Sequence, residues 1–496
     1  MNNYKHKLSK SRYIAGKQCA KKLYLGKYHR ELATPISAGQ QALFTQGDQV
    51  GAWALKRFPN GKDATPETYY NYGRSIEQTK QWIEDDESVI YEATFFHDEV
   101  MAALDIFVQQ DGKKIAIEVK SSTKVHDYHL DDGALQYWVM NNAGYAPDVF
   151  YLMHINNQYV RDGQIDPEQL FHMEDITEQV LLKQNEVALK LQELKQVLAQ
   201  KETPKVEIGT HCRDPFECEF KEHCWKHIPE NSVFDISRIS SKAWNYVDRG
   251  IYGIKDIPEG DYFSERQQIQ IDGVKHNNSF IDKGAIKSFL DEWQYPLYFF
   301  DFETIGPAIP VYDGTSPYKQ YAVQYSLHVL NDKKSELTHT EYLPDFDQDP
   351  REELIIRMIE ELETFGSIVT YNMGFEKGKI KQLAADFPQY EKQLMAINDR
   401  IVDLLIPFRR AWYYTPEMKG SASIKAVLPS LCSYDPDLDY KSLGISNGGD
   451  ASTILKALAE RTVLPKKIES IRKDLLAYCK LDTLAMVKIW EVLKSI

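Results

Sequence analysis

The sequence predicts a multidomain α/β protein, and three observations lead to this class. Short apolar runs bounded by turn residues alternate with longer stretches of helical periodicity. The chain has 496 residues, more than a single hydrophobic core usually holds. A polar stretch of roughly sixty residues with little periodicity follows residue 230. We therefore expect an N-terminal domain over residues 1–230, a helical connector over 231–290 and a C-terminal domain over 291–496.

Composition and charge narrow the class of protein. No apolar run is long enough to cross a bilayer, and the N-terminus lacks the apolar core of a signal peptide. We expect a cytoplasmic protein with reduced thiols and no membrane partner. The net charge of −14 argues against a protein that coats nucleic acid non-specifically. A local basic patch remains, because the first thirty residues hold nine Lys or Arg and no acid. This patch is either a solvated end or a phosphate-contacting arm.

The first regular structure that we predict in the N-terminal half is a β-meander. Its strands are expected at 89–96, 100–109 and 114–121, with a turn at Asp111-Gly112. A helix at 130–142, a strand at 148–155 and a long amphipathic helix at 176–201 should follow. In the connector, residues 239–258 are expected to form two short helices joined at Gly250 or Gly253. The C-terminal domain should contain strands at 297–300, 321–330, 337–343 and 367–371.

Acidic residues follow the apolar strand 297–300. Asp301 and Glu303 are two residues apart, so on a strand they share one face. Two adjacent carboxylates are costly unless a cation neutralises them, and Mg²⁺ or Mn²⁺ prefers oxygen ligands. Glu376 lies at the start of a predicted helix that follows the strand 367–371. Tyr478 and Asp482 are four residues apart in a helical pattern, so they also share a face.

Three acidic motifs in this order resemble those of the DEDD exonuclease superfamily, which includes RNase D and polymerase proofreading domains. The Tyr-x-x-x-Asp form of the third motif resembles the DEDDy branch. The resemblance implies an RNase H-like domain in which Asp301, Glu303, Glu376 and Asp482 hold two metal ions. It also implies that Tyr478 orients the attacking water. Glu376 departs from the family, which usually has Asp there. Asp403 matches an acid that we interpret as orienting the site.

The N-terminal half carries a second acidic motif. Glu118 follows Asp105 by thirteen residues, and Glu118 and Lys120 share one strand face. This spacing resembles that of PD-(D/E)XK nucleases, and the run IAIEVKSS at 115–122 resembles their RecB-like branch. Gln136 matches that branch's downstream polar motif. The resemblance implies a restriction-endonuclease-like domain in which Asp105 and Glu118 bind metal, Glu92 is an additional ligand and Lys120 assists the chemistry. A cross-strand ion pair is the alternative interpretation of Glu118 and Lys120. The branch's upstream metal-binding His is missing, because the matching position is Gly51.

Four cysteines follow a pattern of their own. Cys212, Cys218 and Cys224 are evenly spaced, and Cys19 precedes them by 193 residues. The arrangement resembles that of iron–sulfur RecB-type nucleases, which implies a 4Fe-4S cluster that joins the two ends of the domain. Four thiolates would equally suit Zn²⁺, with His211 or His223 as substitutes, and ordinary thiols are a third interpretation. Cys432 and Cys479 are expected to be packing residues.

Together these resemblances predict a nuclease with two metal-dependent sites. Its partner would be nucleic acid, with DNA favoured over RNA, and its role DNA repair or defence against foreign DNA; the sequence identifies no partner protein. Two alternatives remain open. One is a nucleic-acid-binding scaffold whose N-terminal site has decayed. The other is an exoribonuclease in which only the C-terminal site is active.

Overall fold

The computed structural model describes residues 4–68, 72–432, 438, 445 and 447–496. The chain forms an α/β protein with two mixed sheets, as predicted. Two compact units are present. The first comprises Met1–His227 and Ala308–Tyr318, and the second comprises Ile228–Pro307 and Lys319–Ile496.

The first unit is built on a seven-stranded sheet. Its strands are β1 (Leu8–Ser9), β2 (Lys62–Asp63), β3 (Val89–His97), β4 (Val100–Gln110), β5 (Lys113–Lys120), β6 (Val149–Ile155) and β7 (Phe171–Asp175). The order is β2-β3-β4-β5-β6-β7, with β1 pairing in parallel with β4. The β3–β4–β5 meander is antiparallel, and β6 adds in parallel to β5.

Helices cover this sheet. They are α1 (Lys10–Gln18), α2 (Ala20–Tyr28), α3 (Ala38–Leu55), α4 (Tyr72–Glu84), α5 (Asp127–Asn142), α6 (Pro167–Leu170), α7 (Thr177–Leu182), α8 (Gln184–Ala199) and α9 (Lys221–Cys224). Apolar residues of α5 and α8 pack on the sheet with Leu104, Phe107 and Phe150. The prediction of one long helix at 176–201 is wrong in one respect. It is divided at Lys183, a turn residue with φ −87° and ψ −5° whose ammonium contacts Asp131 of α5.

Residues Ala308–Tyr318 belong to the first unit although they follow strands of the second in sequence. Arg161 donates to the carbonyl oxygen of Pro310 at 3.0 Å, and the Gly163 N–H donates to Asp313 at 3.0 Å. Ala308 is buried in an apolar cluster with Val50 and Met153. No local pattern in the sequence indicates this assignment.

The second unit is built on a five-stranded sheet, β9 (Leu297–Ile305), β10 (Tyr321–Leu330), β11 (Thr338–Tyr342), β12 (Ser367–Thr370) and β13 (Ile401–Asp403), with a small pair, β8 (Phe280–Ile281) and β14 (Tyr413–Tyr414). The order of the large sheet is β11-β10-β9-β12-β13. Strands β9, β10 and β11 pair antiparallel, whereas β12 and β13 add in parallel.

The helices of this unit pack on both faces of its large sheet. They are α10 (Lys242–Val247), α11 (Glu265–His276), α12 (Lys283–Asp291), α13 (Arg351–Glu361), α14 (Met373–Asp386), α15 (Glu391–Asp399), α16 (Ile406–Arg409), α17 (Ile424–Leu431), α18 (Gly448–Ala459) and α19 (Pro465–Lys494). Phe299 faces one apolar cluster with α19, and Phe300 faces another with α13 and α14. Alternate side chains of β9 therefore serve two cores, which explains why the strand is apolar throughout.

Candidate metal centres

Strand β9 carries the first two acids of the second unit. The strand extends to Ile305, beyond the predicted end at Phe300, so Asp301 and Glu303 lie within regular pairing. They stand opposite Ser326 and Gln324 of β10. Asp301 is half-buried and Glu303 is buried. The two carboxylates share one face of a strand whose neighbours exclude water.

The other two predicted acids come to the same place. Burial, then the carboxylates of Asp482, Glu303 and Glu376, raise the pKa of Asp301 well above its usual value. Burial and Asp482 raise the pKa of Glu303 to about 8, although Lys425 opposes the shift. Burial and Asp403 raise the pKa of Glu376 to about 8. The structure thus brings together four acids that are separated by up to 181 positions in the sequence.

Glu376 is held by the turn that begins α14. The preceding Asn372 adopts a left-handed conformation with φ 83°. Its N–H donates to the Asp403 carboxylate at 2.9 Å, and Asp403 also accepts from the Leu405 N–H at 3.0 Å and from Arg409 at 2.7 Å. Asp403 therefore fixes the start of the helix that carries Glu376, which agrees with an orienting position.

Helix α19 supplies the third motif. Tyr478 and Asp482 are both buried and lie one helical turn apart. The Lys425 ammonium lies 5.3 Å from the centroid of the Tyr478 ring.

Cys479 was expected only to pack, yet its Sγ lies within 4.8 Å of carboxylate oxygens of Asp301 and Glu303. The signal for this was its spacing, since Cys479 lies three residues before Asp482 and shares a helix face with it.

This arrangement fits Mg²⁺ or Mn²⁺. The charges of Glu303, Glu376 and Asp482 all act on Asp301, and the buried Oε2 of Glu376 has no hydrogen-bond partner among the described residues. Buried oxygen acceptors without donors are costly, and a divalent cation with a preference for oxygen ligands would satisfy them. Asp301, Glu303, Glu376 and Asp482 are the residues that could hold it.

In the first unit, Glu118 is the centre of a hydrogen-bonded group. The buried Glu118 Oε2 accepts from Gln136 Nε2 at 2.8 Å. Its Oε1 accepts from Lys120 at 2.6 Å and from Lys10 at 2.7 Å. Although burial acts to raise it, the two ammonium groups hold the pKa of Glu118 well below its usual range. Three residues predicted for this site, Glu118, Lys120 and Gln136, are in direct contact.

Asp105 and Glu92 border this group. The Asp105 carboxylate accepts the Val119 N–H at 2.6 Å, and burial together with Glu118 raises its pKa to about 7. Glu92 has a left-handed backbone conformation, with φ 52°, and is not paired in the β3–β4 register, which is unchanged on either side of it. Burial raises the pKa of Glu92, with the Lys10 and Glu118 charges acting in opposite directions. Glu118, Lys120 and Gln136 are thus in contact, and Asp105 and Glu92 lie close enough for their charges to interact with that of Glu118.

Two residues of this site were missed. Asp132 pairs with Lys120 at 2.7 Å; it lies four residues before Gln136 on α5, which was a usable signal. Lys10 was assigned only to the basic end, and nothing in its local sequence indicates the contact with Glu118. Because two ammonium groups already bind Glu118, a divalent cation fits this site only when Lys10 withdraws. In the part of the chain that the structure describes, the buried Oε1 of Gln136 has no hydrogen-bond partner, and it offers a further oxygen.

The four predicted cluster cysteines line one cavity, together with Lys21, Lys22 and Phe220. They are not drawn together into a closed site. Among the described residues, no three of Cys19, Cys212, Cys218 and Cys224 have sulfur atoms that all lie within 4.8 Å of one another. The four-cysteine cluster in the predicted fold class is therefore not confirmed. Burial raises the pKa of Cys218 to about 11, so this thiol stays protonated in the absence of a cation.

Within the described ranges, no helix has the length and apolar character needed to cross a membrane.

Comparisons with known proteins find similarity over part of this chain. A family model described as "Domain of unknown function (DUF2779)" matches residues 298–423, a range that contains Asp301, Glu303 and Glu376. The chain is 26% identical to "Uncharacterized protein UU173" of Ureaplasma parvum over 53% of this chain and 41% of that protein. It is 26% identical to "Uncharacterized protein MG366 homolog" of Mycoplasma pneumoniae over 45% of this chain and 35% of that protein. "Uncharacterized protein MG366" of Mycoplasma genitalium is 25% identical over 38% of this chain and 31% of its own length. The chain thus spans about two fifths or less of these relatives.

Proposed function

We propose that the protein is a metal-dependent nuclease acting on DNA, with a 3′–5′ exonuclease site in the second unit. The observation that carries this proposal is that carboxylate oxygens of Asp301 and Glu303 lie within 4.8 Å of one another, where the charges of Glu376 and Asp482 also act on Asp301. Four neighbouring carboxylates without compensating cations destabilise a fold. Bound metal ions would offset this cost and so explain why the four acids lie near one another.

The topology supports the exonuclease over other metal-dependent activities. Counted along the chain from β9, the strands of the central sheet stand in the order 3-2-1-4-5. The first three strands pair antiparallel, and the fourth and fifth strands are parallel to the first. This order resembles that of RNase H-like domains, in which the acids lie on the first strand and on later helices. The Tyr478–Asp482 pair on the last helix favours the DEDDy branch.

Each residue has a separate task in this proposal. Asp301, Glu303, Glu376 and Asp482 would hold two divalent cations, which when bound stabilise the attacking and leaving oxygens of a phosphodiester. Tyr478 would hold the attacking water through its hydroxyl. Asp403 positions Glu376 by fixing the turn at Asn372.

For the first unit we propose a RecB-like nuclease site. Asp105, Glu118 and Glu92 would hold a cation, and Gln136 orients Glu118 through the 2.8 Å hydrogen bond. The Lys120 ammonium, which Asp132 holds in place, would stabilise negative charge on the phosphate in the transition state.

A second candidate function has a specific observation in its favour. Lys10 occupies one oxygen of Glu118, where a cation would otherwise bind. The first unit would then be a nucleic-acid-binding scaffold with a decayed site, and only the second unit would cleave.

The four cysteines would hold a 4Fe-4S cluster, with Zn²⁺ as the alternative. Tetrahedral Zn²⁺ with sulfur at about 2.3 Å needs sulfur atoms about 3.8 Å apart. Among the described residues, no three of the four sulfur atoms lie within 4.8 Å of one another, and this wider spacing suits a polynuclear cluster better. Such a cluster would tie α2 to the segment around α9 and make folding depend on its presence. Anaerobically purified protein should be brown with broad visible absorbance, whereas colourless protein loaded with zinc would contradict the assignment.

The activity is tested on labelled single-stranded DNA, duplex DNA, RNA and circular single-stranded DNA, with Mg²⁺, Mn²⁺ or a chelator. We expect metal-dependent shortening of linear DNA from its 3′ end. Failure to cleave any of these substrates with either metal would overturn the proposal. A preference for RNA would identify RNA, and not DNA, as the substrate.

The first unit is tested with Lys120→Ala on circular DNA, which offers no end. The control is Lys124→Ala, an exposed lysine four residues away. Cleavage that Lys120→Ala removes and Lys124→Ala retains supports two nuclease sites. No cleavage of circular DNA by the unmodified protein, or equal cleavage by both variants, supports the scaffold.

A further inference from the structure

A second group of metal-ligating side chains lies on the sheet of the first unit, outside the residues discussed above. His154 is on β6, and His172 and Glu174 are on β7. One ligand atom from each residue lies within 4.8 Å of the ligand atoms of the other two. None of the sequence motifs included these residues.

The register of the sheet explains why the three side chains meet. His154 is paired with His172, and Glu174 is paired with Leu152, two residues before His154. Directly paired residues, and residues two apart, point to the same face of a sheet. The imidazole and carboxylate groups therefore project from one side of adjacent strands. This arrangement is fixed by backbone hydrogen bonds and needs no loop to form it.

The protonation of His154 favours metal binding. Its Nδ1 lies 3.1 Å from the carbonyl oxygen of Ile155, which can only accept a hydrogen bond. Nδ1 must therefore carry the proton, and the lone pair of the neutral ring is on Nε2. Nε2 faces the carboxylate of Glu174 at 3.9 Å. A ligand histidine that donates its other ring N–H to a backbone carbonyl is the common arrangement in protein metal sites.

Distances and exposure also fit. The rings of His154 and His172 have centroids 5.2 Å apart and are tilted by 48°. An ion about 2.1 Å from each ligand atom would bring tetrahedrally placed ligands to about 3.4 Å from one another. The closure needed is small, because His172 is exposed and the Glu174 side chain is 44% exposed, so both can rotate. His154 is buried and provides the fixed point.

We propose that His154, His172 and Glu174 form a binding site for a transition-metal dication of the Zn²⁺ class. Two imidazoles and one carboxylate suit Zn²⁺, Co²⁺ or Fe²⁺ more than Mg²⁺, which prefers oxygen ligands. Three protein ligands leave at least one position for water or for an oxygen of a bound molecule. The site does not depend on the proposed nuclease activity. It does share a sheet face with Lys120, which pairs with His154 across β5 and β6.

The first test compares Zn²⁺ binding by chelator-treated unmodified protein with binding by His172→Ala and Glu174→Gln. His29→Ala is the matched control, because His29 contacts Glu31 at 3.3 Å and is in no three-ligand group among the described residues. We expect His172→Ala to bind one equivalent of Zn²⁺ fewer than the unmodified protein and Glu174→Gln to bind it more weakly. His29→Ala should bind as much as the unmodified protein. Equal stoichiometry and affinity in His172→Ala and the unmodified protein would overturn the proposal.

The second test needs no variant and so avoids any effect on folding. Diethyl pyrocarbonate acylates unprotonated imidazole nitrogens, and peptide mapping reports each histidine separately. Zn²⁺ should slow modification of His172 and leave His29 unaffected. If Zn²⁺ protects neither residue, or protects both alike, the cross-strand contact of His154, His172 and Glu174 is structural and the metal site is rejected.

Discussion

At the scale of single residues, buried carboxylates dominate both candidate centres, and the two centres neutralise them differently. In the first unit, Lys10 and Lys120 neutralise Glu118 directly. In the second unit, Glu303 and Glu376 have pKa values raised to about 8, which means that the metal-free fold favours their protonated forms. The metal-free second unit is therefore destabilised by its own acids when they ionise.

Replacing one of these acids should stabilise the metal-free protein. The pKa values of Glu303 and Glu376 are higher in the fold than in the unfolded chain. The stability that their protonation provides is therefore complete below about pH 4.5 and is lost as the pH rises through about 8. Above pH 8, Glu303→Gln removes a charge from this cluster, so its Tm in a chelator should be higher than that of the unmodified protein. The control is Asp291→Asn, an exposed acid paired with Lys287. A lower Tm for Glu303→Gln at this pH would mean that the acids do not repel one another.

Lys10 allows a test of the first unit. Because its ammonium must leave Glu118 before a cation binds, Lys10→Met should tighten Mn²⁺ binding by about tenfold, or ~1.4 kcal/mol. Mn²⁺ electron paramagnetic resonance gives the bound fraction. The gain should disappear when Glu118→Gln is added, as a double-mutant cycle requires. Unchanged or weaker Mn²⁺ binding in Lys10→Met would favour the scaffold.

The sequence predicted the acids of both centres but not all of their neighbours. Asp301 and Glu303, or Glu118 and Lys120, are visible because strand periodicity places them on one face. Lys10 contacts Glu118 only through tertiary packing, for which local periodicity carries no information, whereas the helical spacing of Cys479 from Asp482 was visible. Asp132 lay between these cases, since its spacing from Gln136 was visible but its contact with Lys120 was not.

At the scale of elements, β9 is the part of the second unit that most depends on its neighbours. Strand β12 pairs with it in parallel after a turn at Gly366, which has φ 90°. A Cβ at Gly366 would lie 2.4 Å from the carbonyl oxygen of Pro296, immediately before β9. The following Ser367 N–H donates to that same oxygen at 3.1 Å. The turn therefore holds the start of β12 against the start of β9.

Substitution of this glycine should weaken the second unit. Gly366→Ala combines an unfavourable positive φ with a backbone clash, so we expect a loss of more than about 1 kcal/mol in the free energy of unfolding. Gly112→Ala is the control, because Gly112 also has positive φ, 73°, but has open space around its Cβ position. Chemical denaturation measures both. Equal losses in the two variants would show that the contact with Pro296 is unimportant.

Element boundaries were predicted well where periodicity was strong. Strand 321–330 was predicted with its observed bounds, and the β-meander of the first unit deviates by one residue at most at each strand end. Strand β9 runs five residues further than predicted because its acids remain in register with β10. The division of the predicted helix at Lys183 was not visible, since the apolar stripe continues across it.

At the scale of the whole molecule, the chain forms two compact units, and its path between them is not sequential. Residues Ala308–Tyr318 follow β9 and precede β10, yet they belong to the first unit. Local sequence patterns predict elements and cannot reveal such an excursion. The same limit applies to Cys19, which is 193 residues from Cys212 and lines the same cavity. A family resemblance suggested that contact, whereas periodicity did not.

The central claim is that the four acids of the second unit hold the cations that cleave DNA. The most direct measurement is the rate at which 5′-labelled single-stranded DNA is shortened from its 3′ end in Mg²⁺ by Asp301→Asn and by Asp291→Asn. We expect Asp301→Asn to lose more than about 100-fold in rate, since even residues that only support a metal ligand are worth 10- to 100-fold. Asp291→Asn should match the unmodified protein. Unchanged 3′ trimming by Asp301→Asn would contradict the account.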